Sequence, residues 1–471
     1  MEDVLWQDAT GQAELIASGQ VSAREMVSAA IARIEEVDGR LNAVIHRRFE
    51  QALAEVDAGL PAGPFHGVPF LIKDLSADSA GDPAHNGNRA LRDAGVRAEH
   101  DSWLVARFRQ AGFAFVGRTN TPEFGLVPVT ESHAYGPCRN PYDPAYSPGG
   151  SSGGSASAVA AGMVAVAHAS DGGGSIRIPA SMCGLIGLKP SRGRTTLGPH
   201  GIESNLSVQN VVARSLRDVA AVLDAIQGPG PGDAVVAPPP LRPYAAEVGT
   251  RPPQLRIGLL DFSPSGTDLD PECVTAVRDA GRLLESLGHV VGPEHPDIDA
   301  EAGRRFGIRW AVNARVNLRN LGTQLGREVT PDDVEPLTWA MAAAAEPVSG
   351  TDYAEALAAS AQFTRRLAQF WVDHDLLVTP TLGQLPPRIG ELEPPPGDPF
   401  VTQARTGALV PFTTHFNVTG QPAISLPLHV SAAGLPVGVH LVAAYGREDL
   451  LIQVAAQLEE AAPWSGRRPA I

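Results

Sequence analysis

Residues 147–177 read SPGGSSGGSASAVAAGMVAVAHASDGGGSIR, and this run constrains the fold more than any other in the chain. It holds two glycine-rich turns, GGSSGGS at 149–155 and DGGGS at 171–175, with small residues between them. Glycine opens backbone angles closed to other residues and lets main-chain N–H groups converge on one point. Ser151 and Ser175 are 175 − 151 = 24 positions apart. One helix plus one strand would span that interval and return the chain to the same place. From about 130 to 200, Gly, Ser, Ala and Pro dominate and charged residues nearly vanish.

Several readings of the run compete. A Gly/Ser-rich stretch is often only a flexible connection. A dinucleotide loop needs G-x-G-x-x-G, but the third glycine position after Gly172 and Gly174 is Arg177, and the G-K-[ST] of a phosphate loop is absent. Residues 149–153 fit G-x-S-x-G, the nucleophile elbow of Ser-His-Asp hydrolases, with Ser151 as the nucleophile and His415, His429 and His440 as the C-terminal imidazoles. In the second turn, Gly172, Gly173, Gly174 and Ser175 supply an anion-binding nest beside a hydroxyl. With an acyl carbon at that hydroxyl, the nest becomes an oxyanion hole.

The remainder alternates between helical and strand patterns. Ser22 and Glu25 form a capping box with Val21 and Met26 as its hydrophobic staple, and Met26, Val27, Ala30, Ile31, Ile34 and Val37 then share one helical face. GVPFLIKDL (67–75) predicts a short buried strand ending in charge, and GFAFVG (112–117) another. Ser215 and Asp218 open a helix that runs to Ile226 and stops at Gly228-Pro229. A Pro/Gly-rich connection covers 228–254, and a strand (255–260) and a helix (271–287) follow. Residues 300–375 read as mainly helical and carry Trp310, Trp339 and Trp371; a Pro-rich loop follows at 385–399. Two strand-like runs, 423–428 and 437–442, and a helix near 448–460 close the chain. Such alternation argues for an α/β fold.

Charge narrows the function. Basic minus acidic residues give 37 − 52 = −15, which repels nucleic acid and anionic membranes. Cys138, Cys183 and Cys273 lie far apart, without CxxC or Cys/His spacing, so neither a disulfide framework nor a zinc site is indicated. The acidic, polar start MEDVLWQDATGQ lacks a signal-peptide pattern, and the expected compartment is the cytoplasm. Only two of the 37 basic residues are lysines, Lys73 and Lys189; the other 35 are arginines. Arginine cannot be deprotonated in a protein, whereas a buried lysine can.

The segments GVPFLIKDL (67–75), RTNTPEFG (118–125), GPCRNPY (136–142), SPGGSSGGS (147–155), SDGGGSIRIPASMCGLIGLKPSRGR (170–194), FNVTGQPAISLP (416–427) and GLPVGVHLV (434–442) occur here in order and with fitting spacing. In these segments the chain resembles the amidase signature family over nearly its whole length. The ends VLWQDATGQAEL and AAYGREDLLIQVAAQLEEAAPW are most similar to the subgroup around 6-aminohexanoate cyclic dimer hydrolase.

The resemblance implies one amidase domain over 1–471, with a core at 60–228 and 400–471 and a more variable substrate-side region at about 229–399. It implies a large twisted mixed β-sheet covered by α-helices, and no metal or organic cofactor. Lys73 becomes the terminal base, Ser151 a bridging serine after a cis peptide at Gly150, and Ser175 the nucleophile. The N–H groups of Gly172, Gly173, Gly174 and Ser175 become the oxyanion hole.

Asp171 is expected to position the nest or to cap the turn, and Arg177 to pair with a carboxylate nearby. Lys189 is expected to be structural, and Asn120 and Glu123 to order the loop below the site. Thr130, Glu131 and Ser132 are expected to line a substrate pocket, together with the 300–345 helices and the 410–420 loop. Gly172, bulkier in many relatives, is expected to loosen or widen the oxyanion turn. The expected activity is hydrolysis of a small linear or cyclic amide, with anilides, carbamates and nylon-type oligomers within its range. Two alternatives stay open: an amidotransferase-type subunit that passes ammonia to a partner, and a Ser-His-Asp esterase. The expected partner is a small-molecule amide, with no nucleic acid and no membrane, and a homodimer is compatible with the family.

Overall fold

The structure is a computed structural model that describes residues 2–201, 206–298, 300–395 and 397–471. Its strands are β1 (Val44–Arg47), β2 (Pro69–Lys73), β3 (Ala114–Thr119), β4 (Glu131–Ser132), β5 (Gly136–Pro137), β6 (Val166–Asp171) and β7 (Ile186–Lys189). They continue as β8 (Val208–Ala213), β9 (Arg256–Leu259), β10 (Val290–Gly292), β11 (Leu376–Pro380), β12 (Ala423–Val430) and β13 (Pro436–Ala443). Eleven of them form one mixed sheet in the order β1-β3-β2-β6-β8-β7-β12-β13-β11-β9-β10, while β4 and β5 pair with each other. The α/β expectation of a large mixed sheet under helices therefore holds.

Strand pleating sorts side chains onto two covered faces, because successive residues point to opposite sides. Phe70 and Ile72 of β2 enter the core beneath the helices Trp103–Gln110 and Leu216–Ile226. Leu71 between them enters the opposite core, beneath the helices Ala23–Leu41 and Gly153–Ala160. Lys73 shares the face of Leu71 and so reaches under the turn that begins the second of these helices. The capping box at Ser22 and Glu25 is formed, and of the predicted apolar face only Ile31 is incompletely buried.

Parallel pairing of β2 with β3 and β6 places the carboxyl ends of β2 and β6 side by side. Loops leave an α/β sheet there for the following helices, which is where ligand sites of such sheets collect. The helices Ala300–Leu325, Pro336–Ala344 and Gly350–Ala368 pack together on the same side as the helix Thr413–Thr419. The 410–420 segment, expected as a loop, is thus largely helix. Short, fully buried strands at β7, β8 and β11 escaped the sequence reading, as did the peripheral β1 and β10. No helix among the described residues is long and apolar enough to cross a membrane.

Candidate active site

The interval between the two glycine turns folds as a helix, Gly153–Ala160, followed by β6, and the second turn returns beside the first. Close backbone approach explains the glycines. A Cβ at Gly154 would run into the backbone of Asn120, and one at Gly174, where φ is +135°, into Thr413 Oγ1 and Ile178. The peptide between Gly150 and Ser151 is cis.

Lys73 is completely buried, and its Nζ lies 2.6 Å from Ser151 Oγ and 3.0 Å from Ser170 Oγ. Burial lowers its ammonium to about 7, with the Asp171 carboxylate pulling the other way. Arginine, with the highest intrinsic pKa, would remain charged in this place. Ser175 is 8% exposed and its hydroxyl makes no hydrogen bond among the described residues. The structure therefore joins Lys73 to Ser151, while Ser175 stands at the opening without a hydrogen bond to either.

Asp171 organises the second turn. Its Oδ1 accepts from Gly174 N–H (2.8 Å), Arg177 Nη2 (2.9 Å) and Asn417 Nδ2 (2.8 Å), and its Oδ2 from Ile176 N–H (3.2 Å) and Arg177 Nε (2.9 Å). Burial alone would raise its pKa, but the charge and hydrogen bonds of Arg177, with Lys189 and Asn417 behind them, hold it well below the usual carboxylate range. A permanently ionised Asp171 thus fixes the nest, and Arg177 is its buried counter-ion.

This arrangement corrects one expectation. The Gly174 N–H is donated to Asp171, so it is not free to bind an oxyanion. The N–H groups of Gly172, Gly173 and Ser175 have no partner among the described residues. Two of these, together with the hydroxyl of Ser175, form the partly open rim of the turn.

Residues 130–132, expected to line a substrate pocket, make contacts with the scaffold around the first turn. Thr130 is fully buried; its Oγ1 donates to the Gly149 carbonyl (2.8 Å) and accepts from Gly153 N–H (3.2 Å), bracing the first turn. Ser132 is buried and accepts from Tyr135 N–H, and Glu131 accepts from Gly390 N–H at 2.7 Å, which ties down the Pro-rich loop. The hydroxyls of Thr130 and Ser132 and one oxygen of Glu131 thus bond to the scaffold, while Glu131 Oε1 is buried without a hydrogen-bond partner among the described residues. Asn120 and Glu123 do order the loops below the site. Asn120 Nδ2 donates to the carbonyls of Asn42 and Gly136, and Glu123 accepts from Asn88 Nδ2 and Glu335 N–H.

Three supporting residues went unread in the sequence. Asn417 donates to the Asp171 carbonyl and carboxylate and accepts from Arg177 Nη2 at 2.7 Å. Thr413 Oγ1 donates to the Gly173 carbonyl at 2.6 Å, and Ser170 gives Lys73 its second partner. A polar Asn inside the otherwise apolar FNV run was the available signal for the first. Lys189 is also buried; its Nζ donates to the Pro190 carbonyl, and burial, with Arg177 nearby, pushes its ammonium well below the usual lysine range, while Asp171 pulls the other way.

The three C-terminal histidines serve elsewhere. His440 is buried between Arg177 and Thr379, His429 pairs with Glu272, and His415 Nε2 meets the Pro411 carbonyl. Among the described residues, no hydrogen bond joins His429 or His440 to Ser151 or Ser175.

The chain matches known proteins along nearly its whole length. The amidase family profile matches residues 25–452. The 6-aminohexanoate-cyclic-dimer hydrolase of Paenarthrobacter ureafaciens is 44% identical over 99% of this chain and 97% of its own length. The enzyme of the same description from Pseudomonas sp. (strain NK87) is 45% identical over the same shares. A solved structure of 6-aminohexanoate cyclic dimer hydrolase complexed with substrate superposes with a TM-score of 0.95 at 43% identity, covering 99% of both chains. Agreement in sequence and in fold from end to end shows that the chain belongs to the amidase family, hydrolases of carbon–nitrogen amide bonds.

Proposed function

We propose that this chain hydrolyses a small, largely uncharged linear or cyclic amide, of which 6-aminohexanoate oligomers are the leading example, through Ser175, Ser151 and Lys73. The observation that carries the reading is the buried Lys73 amine, lowered to about 7 and 2.6 Å from Ser151 Oγ. A serine hydroxyl becomes a competent nucleophile only when a base takes its proton. Near neutral pH this amine has a substantial neutral fraction and can take it.

In this scheme substrate entry brings Ser175 Oγ onto Ser151. As Ser175 Oγ bonds to the carbonyl carbon, its proton passes to Ser151 and the Ser151 proton passes to Lys73. The carbonyl π electrons move to oxygen, which the N–H groups of Gly172, Gly173 and Ser175 stabilise. Collapse of this intermediate breaks the C–N bond, Ser151 protonates the departing amine, and Lys73 restores the Ser151 proton. Water then attacks the acyl-enzyme along the reverse proton route and releases the carboxylic acid and Ser175.

The likeness to the two cyclic-dimer hydrolases supports the choice of substrate class. The three cysteines, all free and buried, are in keeping with the cytoplasm as the place of action. The test is hydrolysis of 6-aminohexanoate cyclic dimer, a simple aliphatic amide, an anilide and a carbamate by wild type and Ser175→Ala, alongside labelling with a fluorophosphonate. Wild type should cleave at least one amide and take one label per chain, and Ser175→Ala should lose both. A variant that keeps either property would overturn the assignment of Ser175. Turnover that appears only with an added partner protein would favour the amidotransferase alternative.

A further inference from the structure

The open rim of the oxyanion turn faces two aromatic rings. A Cβ at Gly172 would lie 3.3 Å from both Cη2 and Cζ3 of Trp310, and one at Gly173 would lie 3.2 Å from Cζ of Phe306. The rings stack on each other, with centroids 5.0 Å apart and planes 22° from parallel. They stand four positions apart on the helix Ala300–Leu325, which puts them on one face of it. Trp310 Nε1 donates to the Leu126 carbonyl at 3.3 Å. The neighbouring Gly125 is so close to the first turn that a Cβ there would lie 3.1 Å from Ser151 Oγ. Trp310 thus reaches from the Ser151 side of the site to the nest. Gly172, Gly173, Phe306 and Trp310 are all partly exposed, whereas Asp171, Gly174 and Ser175 are buried, so the turn opens on the side of the rings.

We propose that Trp310, backed by Phe306, determines which acyl groups the site accepts. Its ring leaves room for an unbranched carbon next to the reacting carbonyl and excludes a branched one. The proposal rests on the amide-hydrolysis reading of the same site. The carbonyl oxygen stays on the nest through acylation and deacylation, while the amine leaves after the first step. The acyl α-carbon, one bond from the carbonyl carbon, therefore lies beside this wall in both steps. Gly172 is the matching half of the device. A methyl group there would already press on the ring, so tryptophan and glycine form a pair, and the glycine makes room for the wall where the sequence suggested a looser turn.

The test compares kcat and KM for hexananilide and 2,2-dimethylhexananilide in wild type, Trp310→Ala, Trp310→Phe and Gly172→Ala, with thermal melts to verify folding. One methyl group is worth roughly 10–200-fold in an apolar pocket, so wild type should prefer the unbranched anilide by at least that range. Trp310→Ala should cut the preference by about tenfold or more. Trp310→Phe, a smaller ring without the bond to Leu126, should cut it by less. Gly172→Ala should slow the unbranched anilide, and adding Trp310→Ala should recover part of that loss. If Trp310→Ala fails to fold, the same reduction is required of Trp310→Phe. A wild type that hydrolyses both anilides, with a preference unchanged within about twofold in the folded Trp310 variants, overturns this proposal alone. A wild type that hydrolyses neither anilide and none of the other amides overturns it together with the reading beneath it.

Discussion

Replacing Lys73 with methionine should remove activity and yet favour the folded state, by an amount that depends on pH. Burial lowers the Lys73 ammonium from 10.5 to about 7, against the pull of Asp171. At 1.36 kcal/mol per pKa unit, this places a cost on the order of 4–5 kcal/mol on the folded chain at low pH. Between about 7 and 10.5 the unfolded chain keeps a proton on this amine that the folded chain has released. Stability from this site therefore rises with pH across that window; the cost is complete below about 7 and absent above 10.5. Methionine removes the titration but deprives Ser151 and Ser170 of their Nζ partner, at roughly 1–3 kcal/mol for a buried polar group. That second effect is nearly independent of pH, so the slope isolates the lysine. Urea unfolding of both proteins at pH 6 and pH 10, followed by tryptophan fluorescence, measures it. The advantage of Lys73→Met over wild type should shrink by about 4 kcal/mol from the lower to the higher pH. A difference constant to within about 1 kcal/mol would mean that the amine titrates normally in the folded protein, and the case for a neutral base would fall.

Other expectations follow from the same contacts. The rate at low substrate should climb tenfold per pH unit below an apparent pKa near 7 and level off above it, and Lys73→Arg should be nearly as inactive as Lys73→Ala; initial rates from pH 5 to 9 test both. Asp171→Asn leaves the Arg177 guanidinium buried without its carboxylate, and chemical denaturation should show a loss of roughly 3–5 kcal/mol. Burial and mutual repulsion raise the Glu123 carboxyl to about 7, and burial with the nearby Glu393 does the same for Glu335. Their cost to the fold develops as pH rises from 4.5 to about 7 and is full above it. Glu335→Gln should therefore gain in melting temperature over wild type mainly at pH 7 and above, and an equal gain at pH 4.5 would contradict this account.

The two glycine turns were legible because glycine itself is visible in the sequence. The left-handed angle at Gly174 disfavours a side chain whatever lies farther along the chain, whereas the approach that Gly154 permits, to the backbone of Asn120, is a tertiary contact. The helix and strand between the turns followed from spacing, and the Ser22–Glu25 cap from four adjacent residues. Strands β7 and β8 were missed because IGLK and VQNVVA are buried on both faces and show no two-residue alternation. Strand β11 lies between the stretch read as helical, which ends at 375, and the Pro-rich loop from 385; its five residues, LLVTP, carry too little pattern to announce a strand. The roles of Thr130 and Ser132 were not legible for a similar reason. A hydroxyl near a reactive turn looks the same in sequence whether it faces substrate or braces a glycine, and Thr130 braces Gly149 and Gly153.

By itself, the sequence determined where the chain must turn tightly, which hydroxyls stand at those turns, and that a lysine occupies position 73 in a protein that otherwise writes its cations as arginine. Those properties belong to residue types and to neighbours along the chain. Tertiary structure alone decided that Lys73 is dry enough to lose its proton near 7 and that Asp171 claims the Gly174 N–H. It alone brought Asn417, 246 positions away, to Asp171, and laid Trp310 against Gly172. Desolvation and hydrogen-bond saturation are set by everything packed around a group, and around this site the packing comes from segments hundreds of residues apart.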